Sequence, residues 1–109
     1  MAEKRSAHRI TVKLRASFRS SQAVIEGWVC DLSRLGLFLQ ADYLDEPGTA
    51  GTIDLELPDG EPLRLPCEIV RVDMTPEHGG MAIRFGALPD DTRRPLANFM
   101  IESSYQSLL

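Results

Sequence analysis

The chain has 109 residues, 43% hydrophobic and 26% charged, which suits one globular domain and excludes a catalytic domain joined to a regulatory one, a disordered chain or a coiled coil. Residues 1–20 carry six basic side chains and one acidic one (+5), whereas residues 21–109 carry six basic and fifteen acidic ones (−9), giving the net charge of −4. This asymmetry indicates an anion near the N-terminus, and the acidic total disfavours general coating of nucleic acid or of an anionic membrane.

The first predicted strand is the clearest element of the sequence. Apolar residues from Ile10 to Phe18 alternate strictly with polar ones, the period-2 pattern of a strand with one face on the core. A polar turn at residues 20–22 and a β-rich run over Val24–Cys30 then predict an antiparallel hairpin. A third run covers Leu35–Gln40, after a short Asp-Leu-Ser-Arg connection.

The middle of the chain predicts two more strands. The loop at residues 42–51 is followed by a strand with Ile53, Leu55 and Leu57 on one parity. After the turn Pro58-Asp59-Gly60, a long strand over Leu63–Val72 changes its apolar parity near residues 69 and 70. An extra residue in one strand of a pair produces such a shift, so we expect a β-bulge there.

The end of the chain predicts a sixth strand and one helix. Met81, Ile83 and Phe85 alternate with Ala82 and Arg84 after the sequence His78-Gly79-Gly80. From residue 90 the period becomes helical, because Leu96, Phe99, Met100 and Ser103 fall at i, i+3, i+4 and i+7, on one face of a helix. The sequence therefore predicts a mainly β protein: a six-stranded antiparallel barrel over residues 10–86 with a C-terminal α-helix over residues 90–107.

Neither targeting signals nor metal-ligand patterns stand out. The N-terminal sequence is charged, and the longest apolar run, Leu35–Leu39, is too short to cross a membrane, so we expect a cytoplasmic protein without membrane insertion. Cys30 and Cys67 lie far apart without a CxxC pattern or a nearby histidine, which argues against a disulfide framework and a zinc site. We expect both cysteines in the core.

The hairpin register brings two distant segments together. If the first strand turns near Gln22, antiparallel pairing places Arg9 beside residues 31–33. The basic stretch from Arg5 to Arg9 then lies over the loop from Asp31 to Gly36, at one end of the barrel.

These segments carry two paired motifs: RxxxR, at Arg5 and Arg9, and (D/N)xSxxG, at Asp31, Ser33 and Gly36. In this the sequence resembles the PilZ domain family, and the similarity extends to the strand order, the run GMAIRF and the terminal helix, so that residues 1–109 read as a single PilZ domain. PilZ domains are receptors for the bacterial second messenger cyclic di-GMP. The resemblance implies that ligand here, and control of motility, surface polysaccharide or a related bacterial behaviour.

The resemblance assigns five ligand-binding residues, whose chemistry suits a guanine dinucleotide. Arg5 and Arg9 can fork onto phosphate oxygens, bond guanine or stack on its plane. Asp31 can accept hydrogen bonds from the N1/N2 edge of guanine and so select against adenine. Ser33 adds a hydroxyl, and Gly36 allows a close approach of the backbone or a positive φ. Residues 1–9 are expected to be a flexible segment that folds over the ligand.

The remaining candidates receive plainer interpretations. Trp28 is expected in the core or facing a partner. The basic residues at positions 13, 15 and 19 are expected to be solvated charges on the outer face of the first strand, and Arg34 borders the site without a required role. Neither His8 nor His78 has a partner at metal or catalytic spacing.

The leading hypothesis is a cyclic di-GMP receptor that acts as a non-catalytic adaptor and changes its contacts with an unidentified downstream protein, with no cofactor or metal. One alternative is a PilZ-like interaction module that does not bind nucleotide. A second is a small barrel that binds single-stranded nucleic acid, which seven aromatic residues and an acidic body disfavour. An enzyme ranks last, because the spacings build no nucleophile–base pair or metal cluster.

Overall fold

The computed structural model describes residues 8–58, 60–75, 77 and 79–106, with side chains as far as Ser103. It contains six strands and one helix: β1 (Ile10–Arg19), β2 (Val24–Leu32), β3 (Gly36–Gln40), β4 (Ala50–Leu55), β5 (Leu63–Asp73), β6 (Gly80–Phe85) and α1 (Asp90–Gln106).

The strands form a closed barrel in the order β1-β2-β3-β6-β5-β4, and every neighbouring pair is antiparallel. The predicted fold class is therefore confirmed. Because β1 alternates strictly, its residues Leu14, Ala16 and Phe18 point into the barrel, where they join the core. Closure leaves the outer faces of the strands to carry the polar and charged side chains.

Register shifts between paired strands change which side of the barrel the following residues face. The predicted bulge in β5 is confirmed by a shift between Ile69 and Arg71 in its pairing with β6. A second shift, which the sequence did not reveal, lies between Val29 and Asp31 in the pairing of β2 with β3. Cys30 is the extra residue of this bulge and is exposed, so its expected place in the core is wrong.

The other cysteine lies where it was expected. Cys67 is buried in the core, and burial raises the pKa of its thiol to about 12. Desolvation, and secondly the charge of Asp31, also raise the pKa of the Cys30 thiol. Both thiols are therefore protonated near neutral pH and are weak nucleophiles and metal ligands.

Strand ends differ from the prediction by one to three residues at places that matter for the site. β2 continues past Cys30 to Leu32, so Asp31 lies in the strand rather than in the following loop. β3 begins at Gly36 instead of Leu35, which leaves residues 33–35 as the whole connection. A short connection between two paired strands fixes the ends of both.

The helix α1 packs on the barrel with the predicted face. Leu96 and Met100 are buried in the core cluster, and Phe99 packs against it. Asp90 and Asp91 in the first turn interact favourably with the helix macrodipole. In the described part of the chain, α1 does not have the length and apolar character that a membrane-spanning helix needs.

Candidate functional site

The pairing of β1 with β2 builds one end of the barrel around the two sequence motifs. Ile10 lies opposite Leu32 and Thr11 opposite Asp31, so the residue before β1 meets the last residues of β2. Arg9 Nη1 donates a hydrogen bond to Asp31 Oδ2 over 2.8 Å. The predicted juxtaposition of Arg9 and Asp31 is thereby confirmed.

The Arg9–Asp31 pair faces solvent. The two side chains are 54% and 34% exposed, and a pair of this kind contributes only about 0.2–1 kcal/mol to stability. Replacing Asp31 by an anionic ligand as the partner of Arg9 therefore costs little free energy. Among the described residues nothing donates to Asp31 Oδ1, so the carboxylate keeps acceptor capacity even while the pair is intact.

Ser33 organises the connection between β2 and β3. Its hydroxyl oxygen accepts hydrogen bonds from the backbone N–H of Leu35 (3.0 Å) and of Gly36 (3.2 Å), and its hydroxyl donates to the carbonyl of Gly36 (3.3 Å). Its own N–H donates to the same carbonyl over 2.8 Å. The side chain is buried and engaged within the turn, so Ser33 shapes the site rather than presenting a free hydroxyl to a ligand.

Gly36 is required by the approach of β6. A Cβ atom at this position would lie 2.1 Å from the carbonyl oxygen of Ile83 and 3.1 Å from Cα of Arg84. Its φ is not positive, so the expected left-handed conformation is wrong, and the alternative, an approach of the backbone to the ligand, stays a prediction. The close neighbour in the structure is the backbone of β6. Because it has no side chain, Gly36 allows the backbone at the end of the turn to lie close to β6.

Of the five residues assigned to the site, four lie within one short stretch of the barrel's end. Asp31 lies near the end of β2, Ser33 lies in the turn and Gly36 begins β3. Arg9, the residue before β1, lies beside Asp31. Arg5 lies outside the described residues. The end of the barrel thus presents one guanidinium and one carboxylate, which suits a ligand with both negative charge and hydrogen-bond donors.

Comparison with known proteins decides the family. The model of the family described as "PilZ domain" matches residues 3–102. The chain belongs to the PilZ domain family. No curated protein sequence matches it significantly.

Three solved structures with a similar fold share little sequence identity with this chain. The structure of YcgR in complex with c-di-GMP from Escherichia coli matches with a TM-score of 0.82 and 14% identity, over 96% of this chain and 48% of that one. The Bacillus subtilis inhibitor of motility MotI/DgrA gives 0.81 and 15%, over 96% and 53%. The chain thus spans about half the length of these two proteins. The PilZ domain of E. coli YcgR with c-di-GMP gives 0.80 and 10%, over 96% and 95%.

Sequence reasoning missed an aromatic–cation cluster on the outer face of this PilZ domain. Trp28 is 40% exposed, and both Lys13 Nζ and Arg15 Cζ lie 5.3 Å from the centre of its ring. Trp28 is therefore not in the core, and these two basic residues are not merely solvated. The period-2 pattern would have revealed the cluster, because Arg15 lies directly opposite Trp28 in the β1–β2 register.

Other exposed arginines of the barrel are also paired. Arg19 lies 3.4 Å from a carboxylate oxygen of Asp54, and Arg84 lies 3.4 Å from one of Glu68. The expectation that Arg19 is only a solvated charge is wrong, because β4 lies beside β1 and brings Asp54 within reach. These pairs lie on the outer face of the barrel, whereas Arg9, the residue before β1, lies beside the DxSxxG turn.

Replacing Ser33 by Ala tests its structural role. We expect the variant to lose about 1–3 kcal/mol of unfolding free energy in urea denaturation, because two N–H groups lose their acceptor. The motifs predict a cyclic di-GMP site that includes this turn, and on that prediction we also expect weaker binding of the nucleotide. Ser20 is the matched control, because its hydroxyl oxygen accepts from Gln22 and Ala23 in the β1–β2 turn at the other end of the hairpin. Ser20→Ala should lose stability without losing affinity, and equal loss of affinity in both variants would contradict the assignment.

Proposed function

We propose that this protein is a receptor for cyclic di-GMP, which it binds at Arg9, Asp31 and the turn formed by Ser33 and Gly36. The observation that carries the proposal is the placement of Arg9, the second arginine of RxxxR, 2.8 Å from Asp31 of DxSxxG at the end of a PilZ barrel. Structures of a similar fold hold this nucleotide. Arg5 belongs to the proposed site through its spacing from Arg9 in the sequence.

The two charged residues have complementary tasks in this proposal. The Arg9 guanidinium can donate two parallel hydrogen bonds to a phosphodiester or stack on a guanine, both of which its exposure permits. The Asp31 carboxylate accepts from the guanine N1/N2 edge, for which Oδ1 has free lone pairs among the described contacts. Adenine lacks that donor pattern, so it would leave the carboxylate unpaired.

The proposed role is non-catalytic. The protein would act in the bacterial cytoplasm as an adaptor whose contact with a downstream protein changes when cyclic di-GMP binds, with residues 1–9 closing over the ligand. Motility or exopolysaccharide synthesis is the proposed output. The alternative of a PilZ-like interaction module that does not bind nucleotide predicts the same fold but no response to the ligand.

Calorimetric titration of the pure protein with cyclic di-GMP, cyclic di-AMP and GTP tests the proposal. We expect micromolar or tighter binding of cyclic di-GMP alone, and in Asp31→Ala we expect weaker binding and discrimination between guanine and adenine reduced by about 10- to 100-fold, the value of one or two lost hydrogen bonds to a charged acceptor. Asp54→Ala is the matched control, because Asp54 also pairs with arginines on the outer face but lies on β4.

Each alternative has its own outcome in these titrations. An absence of heat with cyclic di-GMP at modest salt would overturn the proposal and favour the interaction module. Binding of a single-stranded oligonucleotide with a steep salt dependence would instead favour the nucleic-acid hypothesis. Preserved guanine selectivity in Asp31→Ala would leave the receptor function intact but remove Asp31 as its specificity determinant.

A further inference from the structure

A groove of about 430 Å³ lies between the DxSxxG turn and the start of α1. Its walls come from two elements that are distant in sequence: the turn on one side and the first two turns of the helix, with the segment that leads into it, on the other. Its lining includes Arg34, Leu35, Leu88, Arg93, Arg94 and Ala97.

The groove combines a basic rim with apolar walls. Three guanidinium groups, those of Arg34, Arg93 and Arg94, face one carboxylate, that of Asp90, which is paired with Arg93. Within the described part of the chain, Arg34 and Arg94 form no ion pair, whereas most other exposed arginines of the barrel do. The groove therefore carries an uncompensated charge of about +2 in a protein whose net charge is −4.

The apolar part is also open to solvent. Leu35 is 52% exposed, although it lies in a three-residue connection whose ends are fixed. Its carbonyl accepts a hydrogen bond from the N–H of Phe85 over 2.8 Å, so the backbone is held while the side chain stays exposed. An exposed leucine on a rigid backbone, between arginines without partners, is typical of an interaction surface.

The groove shares its turn with the proposed nucleotide site. Arg34 and Leu35 are the two residues between Ser33 and Gly36, and the hydroxyl of Ser33 accepts from the N–H of Leu35 over 3.0 Å. A ligand that moves or tightens this turn from the side of Asp31 must also move one wall of the groove. The two surfaces can therefore be coupled without any long-range transmission.

We propose that this groove, which we call the Arg34/Arg94 groove, binds an acidic amphipathic segment of a partner protein, with carboxylates on the arginines and apolar side chains against Leu35, Leu88 and Ala97. The proposal rests on the proposed receptor function and names its output surface. Charge complementarity selects the occupant: an acidic segment neutralises the rim, whereas residues 1–9 of this chain, with three basic residues and one acidic one, would be repelled.

A labelled helical peptide with Glu on one face and Leu at positions i, i+3, i+4 and i+7 on the other is the probe. We expect its binding to shift the amide NMR signals of Leu35, Leu88 and Ala97, and to weaken by roughly tenfold or more in the double variant Arg34→Glu/Arg94→Glu. Arg71→Glu is the matched control, because Arg71 is also exposed and without an ion pair in the described part of the chain but lies on β5, outside the groove. Peptides with Gln for Glu or Ser for Leu should bind at least tenfold more weakly.

Several outcomes would overturn this inference. They are equal peptide binding by the double variant and by wild type, shifts confined to another face, equal binding of polyglutamate or an oligonucleotide, and no binding at all. Titration of the same samples with cyclic di-GMP separates the two proposals. Peptide binding without nucleotide binding would support the docking function of the groove and contradict the receptor function. Nucleotide binding by wild type and by Arg94→Glu, without peptide binding, would support the receptor function and contradict the docking function.

Discussion

Replacing Arg9 by Ala is expected to weaken cyclic di-GMP binding by roughly 10- to 150-fold, the effect of losing about 1.5–3 kcal/mol from hydrogen bonds between charged groups. Arg9 is 54% exposed and held by one carboxylate, so its removal leaves the barrel intact while the ligand loses its guanidinium contact. The unfolding free energy should fall by less than about 1 kcal/mol, because exposed ion pairs contribute little. Calorimetry and urea denaturation of the same sample measure the two effects.

Arg9→Lys makes the test specific to the guanidinium. A lysine keeps the positive charge but cannot fork onto a phosphate or stack on a base, so we expect its affinity to be closer to that of Arg9→Ala than to that of wild type. Arg19→Ala is the control, because Arg19 ends the same strand and pairs with Asp54 away from the DxSxxG turn. A lysine variant that binds as well as wild type would show that Arg9 supplies only charge.

A double-mutant cycle of Arg9→Ala with Asp31→Ala adds information on how the two residues act. If Asp31 both positions Arg9 and accepts from guanine, the double variant should lose less affinity than the sum of the single variants. Full additivity would mean that their 2.8 Å contact is equally strong in the free and the bound protein. A double variant that loses more affinity than the sum of the single variants would show that the ligand must break the pair.

The local parts of this fold were predictable from the sequence. Strict alternation identified β1, and the parity change near residue 69 identified the bulge in β5. The meeting of Arg9 with residues 31–33 followed from the position of the hairpin turn, although a register shift between Thr11 and Leu14 moves the pairing there by one residue. Local periodicity was sufficient because each of these features involves one strand or one hairpin.

The parts that could not be predicted depend on neighbours that are distant in sequence. The burial of Leu32, on the parity of the exposed Trp28 and Cys30, follows the bulge against β3, and the pairing of Arg19 comes from closure of the barrel through β4. The hydroxyl of Ser33 was expected to face the ligand, yet the turn uses all of its hydrogen-bonding capacity. The motifs therefore predicted that Arg9 and Asp31 come together, but they did not show which residues of the turn are available to a ligand.

The site and the Arg34/Arg94 groove illustrate how a domain of this size can have an input and an output. The turn between β2 and β3 contains only residues 33–35. Asp31 lies in β2 just before the turn, and Arg34 and Leu35 of the turn line the groove. The hydrogen bonds of Ser33 make the turn one rigid unit, so displacement of one side displaces the other. Stiffness of this turn is thus as important to the proposed signal as its charges.

Gly36→Ala is the most damaging single substitution that we predict. A methyl group at this position would meet the carbonyl oxygen of Ile83 at 2.1 Å, a contact that only separation of β3 from β6 can relieve. Backbone atoms cannot rotate away as a side chain can, so we expect a loss of about 3 kcal/mol or more in urea denaturation, the upper range for overpacking. The same separation would move the Ser33 turn, so cyclic di-GMP affinity and peptide binding in the groove should fall together.

Gly60→Ala is the matched control for this effect. A Cβ atom at position 60 meets nothing within 4 Å and its φ is not positive, so the change should be neutral or stabilise the protein by up to about 1 kcal/mol through the unfolded state. If Gly36→Ala were as stable as Gly60→Ala, β3 and β6 could adjust freely at this point. The turn would then be too compliant to transmit a displacement from Asp31 to Leu35, and the proposed coupling between nucleotide and partner would lose its physical basis.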